Sequence, residues 1–277
     1  MPLQSMVPLL KKAQAEGYAV GLFDAHNLEG IMAILEAATE QRSPVIIAPF
    51  FMPRRAAVAL IRELAVDAPV PVAIELDHGR DFGAVMECIR AGFTDVMIDA
   101  STRPYDENVA LTKKVVEVAH AVGLGVEAEI GHVGRGMDYA DVDARKVTLT
   151  PPEDAARFVA DTGADILAVA IGSAHGLYKG EPDLDLERLR QIRAMVDVPL
   201  VLHGGSGLSD EDFQAAIAEG ICKVNIYTNM AVAAMAAMGE SLADPAVRYF
   251  QVQQAAQQAI KEVVVHCMQI FGSVGRA

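Results

Sequence analysis

The chain has 277 residues, 52% hydrophobic and 22% charged, with a net charge of −14 at neutral pH. That apolar content supports a large core and excludes disorder. The acidic balance excludes nucleic acid as the main partner, because a polyanion calls for a basic patch, but it leaves room for a small phosphate held by backbone amides. Cys88, Cys222 and Cys267 are unevenly spaced in apolar surroundings, so they read as reduced core residues of a cytoplasmic protein rather than a disulfide frame. The N-terminus shows no signal-peptide pattern, and no apolar run is long enough to span a membrane.

In chain order, short β-branched apolar runs occupy residues 18–23, 44–48, 70–76, 95–99, 125–130, 166–171, 199–203 and 223–227. Most are continuous rather than alternating, as strands buried on both faces should be. Helical patterns lie between them at 28–41, 106–122, 152–162, 186–195 and 210–219. Asn27 is a natural N-cap for the first, and Ser209 ahead of Asp210-Glu211-Asp212 is a strong helix start. Glycines 92, 123, 163 and 220 close several of these units. Eight strand–loop–helix units in this length predict one domain over residues 1–277, a (β/α)8 TIM barrel of the α/β class, with a doubly wound open sheet as the competing architecture. Residues beyond 229 are helical and exceed one barrel helix; the surplus is expected to pack across the barrel or against another subunit. The segment 134–150 is the longest stretch without a pattern, which in a compact domain points to a functional or mobile loop.

Barrel enzymes build their sites at the C-terminal ends of the strands. His78 ends the third run, His175 follows the sixth and His203 ends the seventh, and each stands beside glycine. A lone histidine in an apolar run is more often a core residue. Three at one mouth form a set that suits a borderline divalent metal and leaves a coordination position open. Glu129 lies near the end of the fifth run, and Asn225 and Thr228 lie on the eighth. His26 and His132 reach the same mouth, while His120 and His266 fall on helices and read as structural. Asp77 precedes His78; both can face one site only where the strand ends and turns, because successive strand residues point to opposite sides. A metal nearby would keep Asp77 ionised and ready to accept a hydroxyl proton. Gly204-Gly205-Ser206-Gly207 runs into a helix start, which suits an anion, and loops after strands seven and eight of such barrels often hold phosphate.

The Asp-His-Gly at 77–79, the Ala-Ile-Gly-Ser-Ala-His-Gly-Leu-Tyr-Lys-Gly-Glu-Pro at 170–182, the Leu-His-Gly-Gly-Ser-Gly at 202–207 and the Lys-Val-Asn-Ile-Tyr-Thr at 223–228 together resemble the class II, zinc-dependent ketose-bisphosphate aldolases. The resemblance runs from Leu28 to the Phe-Gly-Ser-Val-Gly-Arg near the C-terminus. It implies one catalytic Zn2+ on His78, His175 and His203, with Glu129 and Asp99 as carboxylates near the metal that offer alternative ligation. It implies Asp77 as the acid/base group, and Gly176, Lys179, Gly205, Ser206, Asn225 and Thr228 as the dihydroxyacetone phosphate site. Zinc polarises the ketose carbonyl, Asp77 takes the C4 hydroxyl proton, the C3–C4 bond breaks, and Asn225 helps hold the three-carbon half; no Schiff-base lysine is required. A homo-oligomer, dimer or tetramer, and a monovalent cation near the phosphate are further implications of the resemblance.

The departures concentrate on the other half of the site. Asp24 stands where the family carries asparagine, Phe50 replaces a serine after the second strand, Glu75 replaces a histidine, and Tyr227 stands where fructose-bisphosphate enzymes carry aspartate. Met137 occupies the loop position of a glutamate thought to exchange a substrate proton, with Asp138, Asp141 and His132 as substitutes. These changes predict an aldehyde product other than glyceraldehyde 3-phosphate, and the added charge of Asp24 and Glu75 is expected to disfavour a second phosphate. A fructose- or tagatose-bisphosphate aldolase proper and a catalytically weak phosphosugar-binding or regulatory protein are the competing readings.

Overall fold

A computed structural model describes residues 3–134, 149–176, 178 and 182–277. The eight apolar runs all become strands: β1 (Val20–Ala25), β2 (Val45–Pro49), β3 (Val72–Gly79), β4 (Asp95–Ile98), β5 (Gly125–Ile130), β6 (Ile166–Val169), β7 (Leu200–Leu202) and β8 (Ile221–Ile226). They pair in sequence order, and β1 also pairs with β8 in parallel, so the sheet closes and the open-sheet alternative falls. Between and after them lie α1 (Met6–Glu16), α2 (Leu28–Gln41), α3 (Arg54–Leu64), α4 (Phe82–Ala91), α5 (Tyr105–Ala121), α6 (Pro152–Thr162), α7 (Leu186–Met195), α8 (Asp210–Ala218), α9 (Thr228–Leu242) and α10 (Tyr249–Ile270). Asn27 caps α2 by accepting from the Gly30 amide, and Ser209 and Asp212 form a reciprocal capping box on α8, as the sequence predicts.

The apolar residues sort into two cores. One fills the barrel interior, where Val20, Leu22, Ile46, Ala73, Ile166, Ala168 and Val201 meet Met6, Leu10 and Tyr18. Helix α1 therefore plugs the N-terminal end of the barrel. This explains why β1 begins two residues later than its apolar run: Tyr18 belongs to the plug. The second core lies between the sheet and its helices. Helix α10 lies along α2, with Gln253 and Gln257 donating to Glu29 and Glu36 at 2.6 and 3.0 Å. No helix among the described residues is long and apolar enough to cross a membrane.

The plug leaves the opposite, C-terminal mouth of the barrel for chemistry. At its edge the β3–β4 register slips between Leu76 and Gly79. His78 sits within that slip at φ 45°, a left-handed backbone rare for a residue with a Cβ. The turn lets Asp77 and His78 serve one site although they are neighbours. Gly79 then passes so close to β4 that a Cβ would lie 2.2 Å from the Met97 carbonyl, so glycine is required after this histidine.

Candidate active site

Three imidazoles converge at the mouth. His78 Nε2 lies 3.1 Å from His175 Nε2 and 2.9 Å from His203 Nδ1. They arrive from the slipped end of β3, the loop after β6 and the end of β7. Each ring is held from behind by an acceptor. His78 Nδ1 donates to Asp99 Oδ2 at 2.8 Å, His175 Nδ1 to the Val133 carbonyl at 3.2 Å, and His203 Nε2 to Glu127 Oε1 at 2.8 Å. With the outer nitrogens protonated, three lone pairs face one point, an arrangement that a cation stabilises and neutral rings alone do not.

The charges around this point agree. Burial alone would lower the His78 imidazole, but Asp77, the hydrogen bond to Asp99, and Glu129 raise it to about 10. Burial and the two neighbouring imidazoles push His175 down to about 4. Glu129 is fully buried, and its Oε2 has no hydrogen-bond partner and stands 3.8 Å from His203 Nδ1. Burial, with Asp99 beside it, raises the Glu129 carboxyl above its usual range. A nitrogen triad with an unpartnered buried carboxylate oxygen beside it fits a tetrahedral zinc ion with an open position, as three-ligand catalytic zinc sites have.

Asp77 lies beside the triad, its Oδ1 4.0 Å from His78 Nε2. Asn225 Nδ2 donates to the same oxygen at 3.0 Å. Burial would raise this carboxyl, but His78, His203 and Lys223 hold it down at about 2, so it stays ionised. Asn225 Oδ1 is buried without a partner.

The glycine-rich loop after β7 meets the start of α9. Ser206 is buried, and its Oγ accepts from the amides of Tyr227 at 3.3 Å and Thr228 at 3.0 Å. Gly205 and Ser206 thus share the rim with Thr228, the first residue of α9. Gly204, at φ 67°, packs against the loop of His175, where a Cβ would stand 2.4 Å from the Ala174 carbonyl carbon. Tyr178 staples the two loops: the Ala174 amide donates to its hydroxyl at 2.8 Å, and the hydroxyl donates to the Gly204 carbonyl at 2.8 Å. Gly176 lies on this loop at φ 86°. Lys179, Met137, Asp138 and Asp141 lie outside the described residues.

A triad of imidazoles, a flanking ionised carboxylate and a glycine-rich loop thus share the mouth of a closed barrel. The family model for class II fructose-bisphosphate aldolases matches residues 4–276. The chain belongs to the class II fructose-bisphosphate aldolase family. It is 43% identical to a fructose-bisphosphate aldolase of Thermus caldophilus, over 97% of this chain and 98% of that one. It is also 43% identical to a probable fructose-bisphosphate aldolase of Bacillus subtilis over the whole of both. Among solved structures it resembles the YdjI aldolase of Escherichia coli K12, with a TM-score of 0.89, 35% identity and 99% of each chain covered. It resembles a putative fructose-1,6-bisphosphate aldolase from Coccidioides immitis with a TM-score of 0.88, 32% identity, and 98% and 96% of the two chains covered.

Within this family member the departures take on physical meaning, and one expectation is corrected. Asp24 and Glu75 do not offer free negative charge to the aldehyde half. Glu75 is fully buried inside the barrel with its Oε2 2.6 Å from Lys223 Nζ. Burial, with Asp77 beside it, pushes the Asp24 carboxyl well above its usual range, and its Oδ1 is buried without a partner. The mouth beside β1 and β2 is lined by aromatic rings. The His26 ring lies 5.9 Å from Phe50, 5.5 Å from Phe51 and 4.7 Å from Tyr227, and Phe51 is 85% exposed at φ 56°. Beside this wall a cavity of about 570 Å³ opens between the loops after β2 and β3 and reaches Asp77 and His78. Arg54 and Arg80 at this cavity are already paired, with Glu87 and Asp81 respectively.

His132 sits at the mouth with Nδ1 2.9 Å from Ser101 Oγ and 3.8 Å from Glu129. His120 and His266 pair with Asp165 and Asp210 on the outside. Sequence reading assigned no role to Glu127, Lys223, Tyr178 or Ser101. Two of these carried a legible signal. Glu127 is two residues before Glu129 on β5 and so shares its inward face, and Lys223 is a charge inside the otherwise apolar start of β8.

Proposed function

We propose that the chain is a zinc-dependent aldolase that reversibly cleaves a ketose phosphate to dihydroxyacetone phosphate and an aldehyde other than glyceraldehyde 3-phosphate. The observation that carries this reading is the convergence of His78, His175 and His203 beside the ionised Asp77. The three imidazoles would hold zinc, with Glu129 as an alternative ligand, and the bound ion supplies Lewis-acid polarisation of the ketose carbonyl.

The protein's own groups do the rest. Asp77 accepts the proton of the C4 hydroxyl, C4–O becomes a carbonyl, and the C3–C4 electron pair passes to the three-carbon half, whose C3 takes up a proton from solvent while Asp77 gives its own back, so no net proton is gained or lost. Asn225 orients Asp77 through Nδ2 and offers its unpartnered Oδ1 to a substrate hydroxyl. The loop of Gly205 and Ser206, with Thr228 at the start of α9 and with Gly176 and Lys179, receives the phosphate of that half. A monovalent cation beside this phosphate belongs to the same reading.

The aldehyde half is read from Phe50, Phe51, His26 and Tyr227. An aromatic wall beside paired arginines suits an unphosphorylated tail. A fructose-bisphosphate aldolase proper is the second reading, favoured by the names of the two relatives at 43% identity. Coupled assay of dihydroxyacetone phosphate release separates the two, using fructose and tagatose 1,6-bisphosphates, 5-dehydro-2-deoxyphosphogluconate and ketose 1-phosphates with uncharged tails. A ketose 1-phosphate as the best substrate supports the proposal, and fructose 1,6-bisphosphate as the best one supports the second reading.

The same proposal includes a homo-oligomer. Val232, Met235, Leu242, Tyr249 and Phe250, on α9 and at the start of α10, are each exposed, and large apolar side chains left exposed in number suit an interface. Light scattering at micromolar concentration is expected to give a dimer or tetramer; a monomer would contradict it.

A further inference from the structure

Beneath the three histidines the barrel core holds a charged cluster that the reaction does not use directly. Lys223 Nζ lies 2.6 Å from Glu127 Oε2 and 2.6 Å from Glu75 Oε2, and all three side chains are fully buried. The remaining oxygen of Glu127, Oε1, accepts from His203 Nε2. A continuous chain of contacts therefore runs from β3 through β8 and β5 to β7: Glu75, Lys223, Glu127, His203.

Replacing such a buried cluster with apolar residues of similar volume is commonly neutral or stabilising for a fold, so stability alone does not account for it. Its geometry does. An imidazole ligand presents the correct nitrogen to a metal only if the other nitrogen is held as a donor, and a carboxylate in that role must itself be anchored. Glu127 is the carboxylate, and its anchor is the ammonium. Glu75, standing where the family carries histidine, anchors the ammonium from the opposite side of the barrel.

We propose that Lys223 is a positioning residue for His203, acting through Glu127 and itself held by Glu75. Its role is to keep Glu127 turned toward His203 Nε2, so that Nδ1 faces the other two imidazoles. This inference rests on the zinc reading above.

The test compares zinc affinity, histidine tautomer and stability. Variants are Glu127→Gln and the double replacement Glu75→Met with Lys223→Met, which removes the ammonium without leaving its second carboxylate unpaired. Zinc dissociation constants come from competition with a chromophoric chelator, and ¹⁵N histidine spectra of the zinc-loaded protein report which nitrogen of His203 carries the proton. Both variants are expected to bind zinc about 10–100-fold more weakly, the range for loss of such outer partners. The double variant leaves Glu127 Oε2 buried without its ammonium and is expected to melt several degrees below the parent, and the His203 Nε2–H signal is expected to weaken or shift. Combining all three replacements should cost little more than either variant, because they interrupt one chain of contacts. Unchanged zinc affinity and an unchanged His203 signal in a folded variant would overturn the proposal. If the double variant does not fold, Glu127→Gln, which preserves side-chain shape, decides by the same two readouts. A parent protein that binds no zinc would instead overturn the function proposed above.

Discussion

Asn225 Nδ2 donates to Asp77 Oδ1 across 3.0 Å, joining the inward faces of β8 and β3 beside the three histidines. The bond leaves one Asp77 oxygen for a substrate proton and fixes the direction from which that proton arrives. Asp77→Asn is expected to lower kcat by about 10²–10⁴-fold, the usual contribution of a general base, with zinc content unchanged. Asn225→Ala is expected to cost less in kcat and also to raise KM, because it removes both the orientation of Asp77 and a group for the substrate. Steady-state kinetics with zinc quantified in each preparation check both outcomes.

Tyr178 bridges the Ala174 amide and the Gly204 carbonyl, so it ties the loop of His175 to the glycine-rich loop after β7. Tyr178→Phe keeps the ring and removes the bridge. It leaves two backbone groups to find new partners, at a cost of about 1–3 kcal/mol. The expected result is a lower melting temperature together with a raised KM for the ketose phosphate.

The aromatic wall predicts selectivity by tail chemistry. Phe50→Ala is expected to lower kcat/KM for ketose 1-phosphates with uncharged tails by about 10–100-fold, the scale of losing a modest apolar contact, while changing little with the smallest aldehydes in the condensation direction. Equal loss on every aldehyde would place Phe50 outside the specificity pocket.

The plug gives a pH signature. Asp95 is fully buried and accepts from Ser5 Oγ at 2.6 Å, the Met6 amide at 2.8 Å and Thr94 Oγ1 at 2.8 Å, pinning the start of α1 to β4. Burial raises its carboxyl to about 6 despite these bonds. A carboxyl raised on folding adds stability that is fully present below its unfolded value near 4 and is lost as pH rises through about 6, a total of roughly 3 kcal/mol. The melting temperature of Asp95→Asn relative to the parent should therefore rise between pH 4.5 and 7.5. A constant difference across that range would contradict the assignment.

The barrel was legible because strands buried on both faces are continuous apolar runs and the helices between them carry recognisable caps such as Asn27 and Ser209. Strand ends were less legible. Tyr18 reads as strand but packs with the plug, and β3 runs on to Gly79 because the register slip at His78 depends on tertiary contact with Met97. The triad was visible because each histidine ends an apolar run beside glycine. The charge near the ends of β1 and β3 was misread because a sequence does not show that Glu75 meets Lys223 across the barrel or that burial pushes the Asp24 carboxyl up. Pairing of that kind joins residues far apart in the chain, such as Glu127 and His203, and only the closed sheet brings them together.

The most direct measurement is dihydroxyacetone phosphate release from a ketose phosphate by protein loaded with one zinc per chain, followed before chelation, after chelation and after zinc is restored. The account predicts activity that chelation abolishes, that restored zinc recovers, and that Asp77→Asn lowers by about 10²–10⁴-fold at full zinc loading. Activity that survives complete removal of zinc, or that stays at the parent's level in Asp77→Asn, would contradict it.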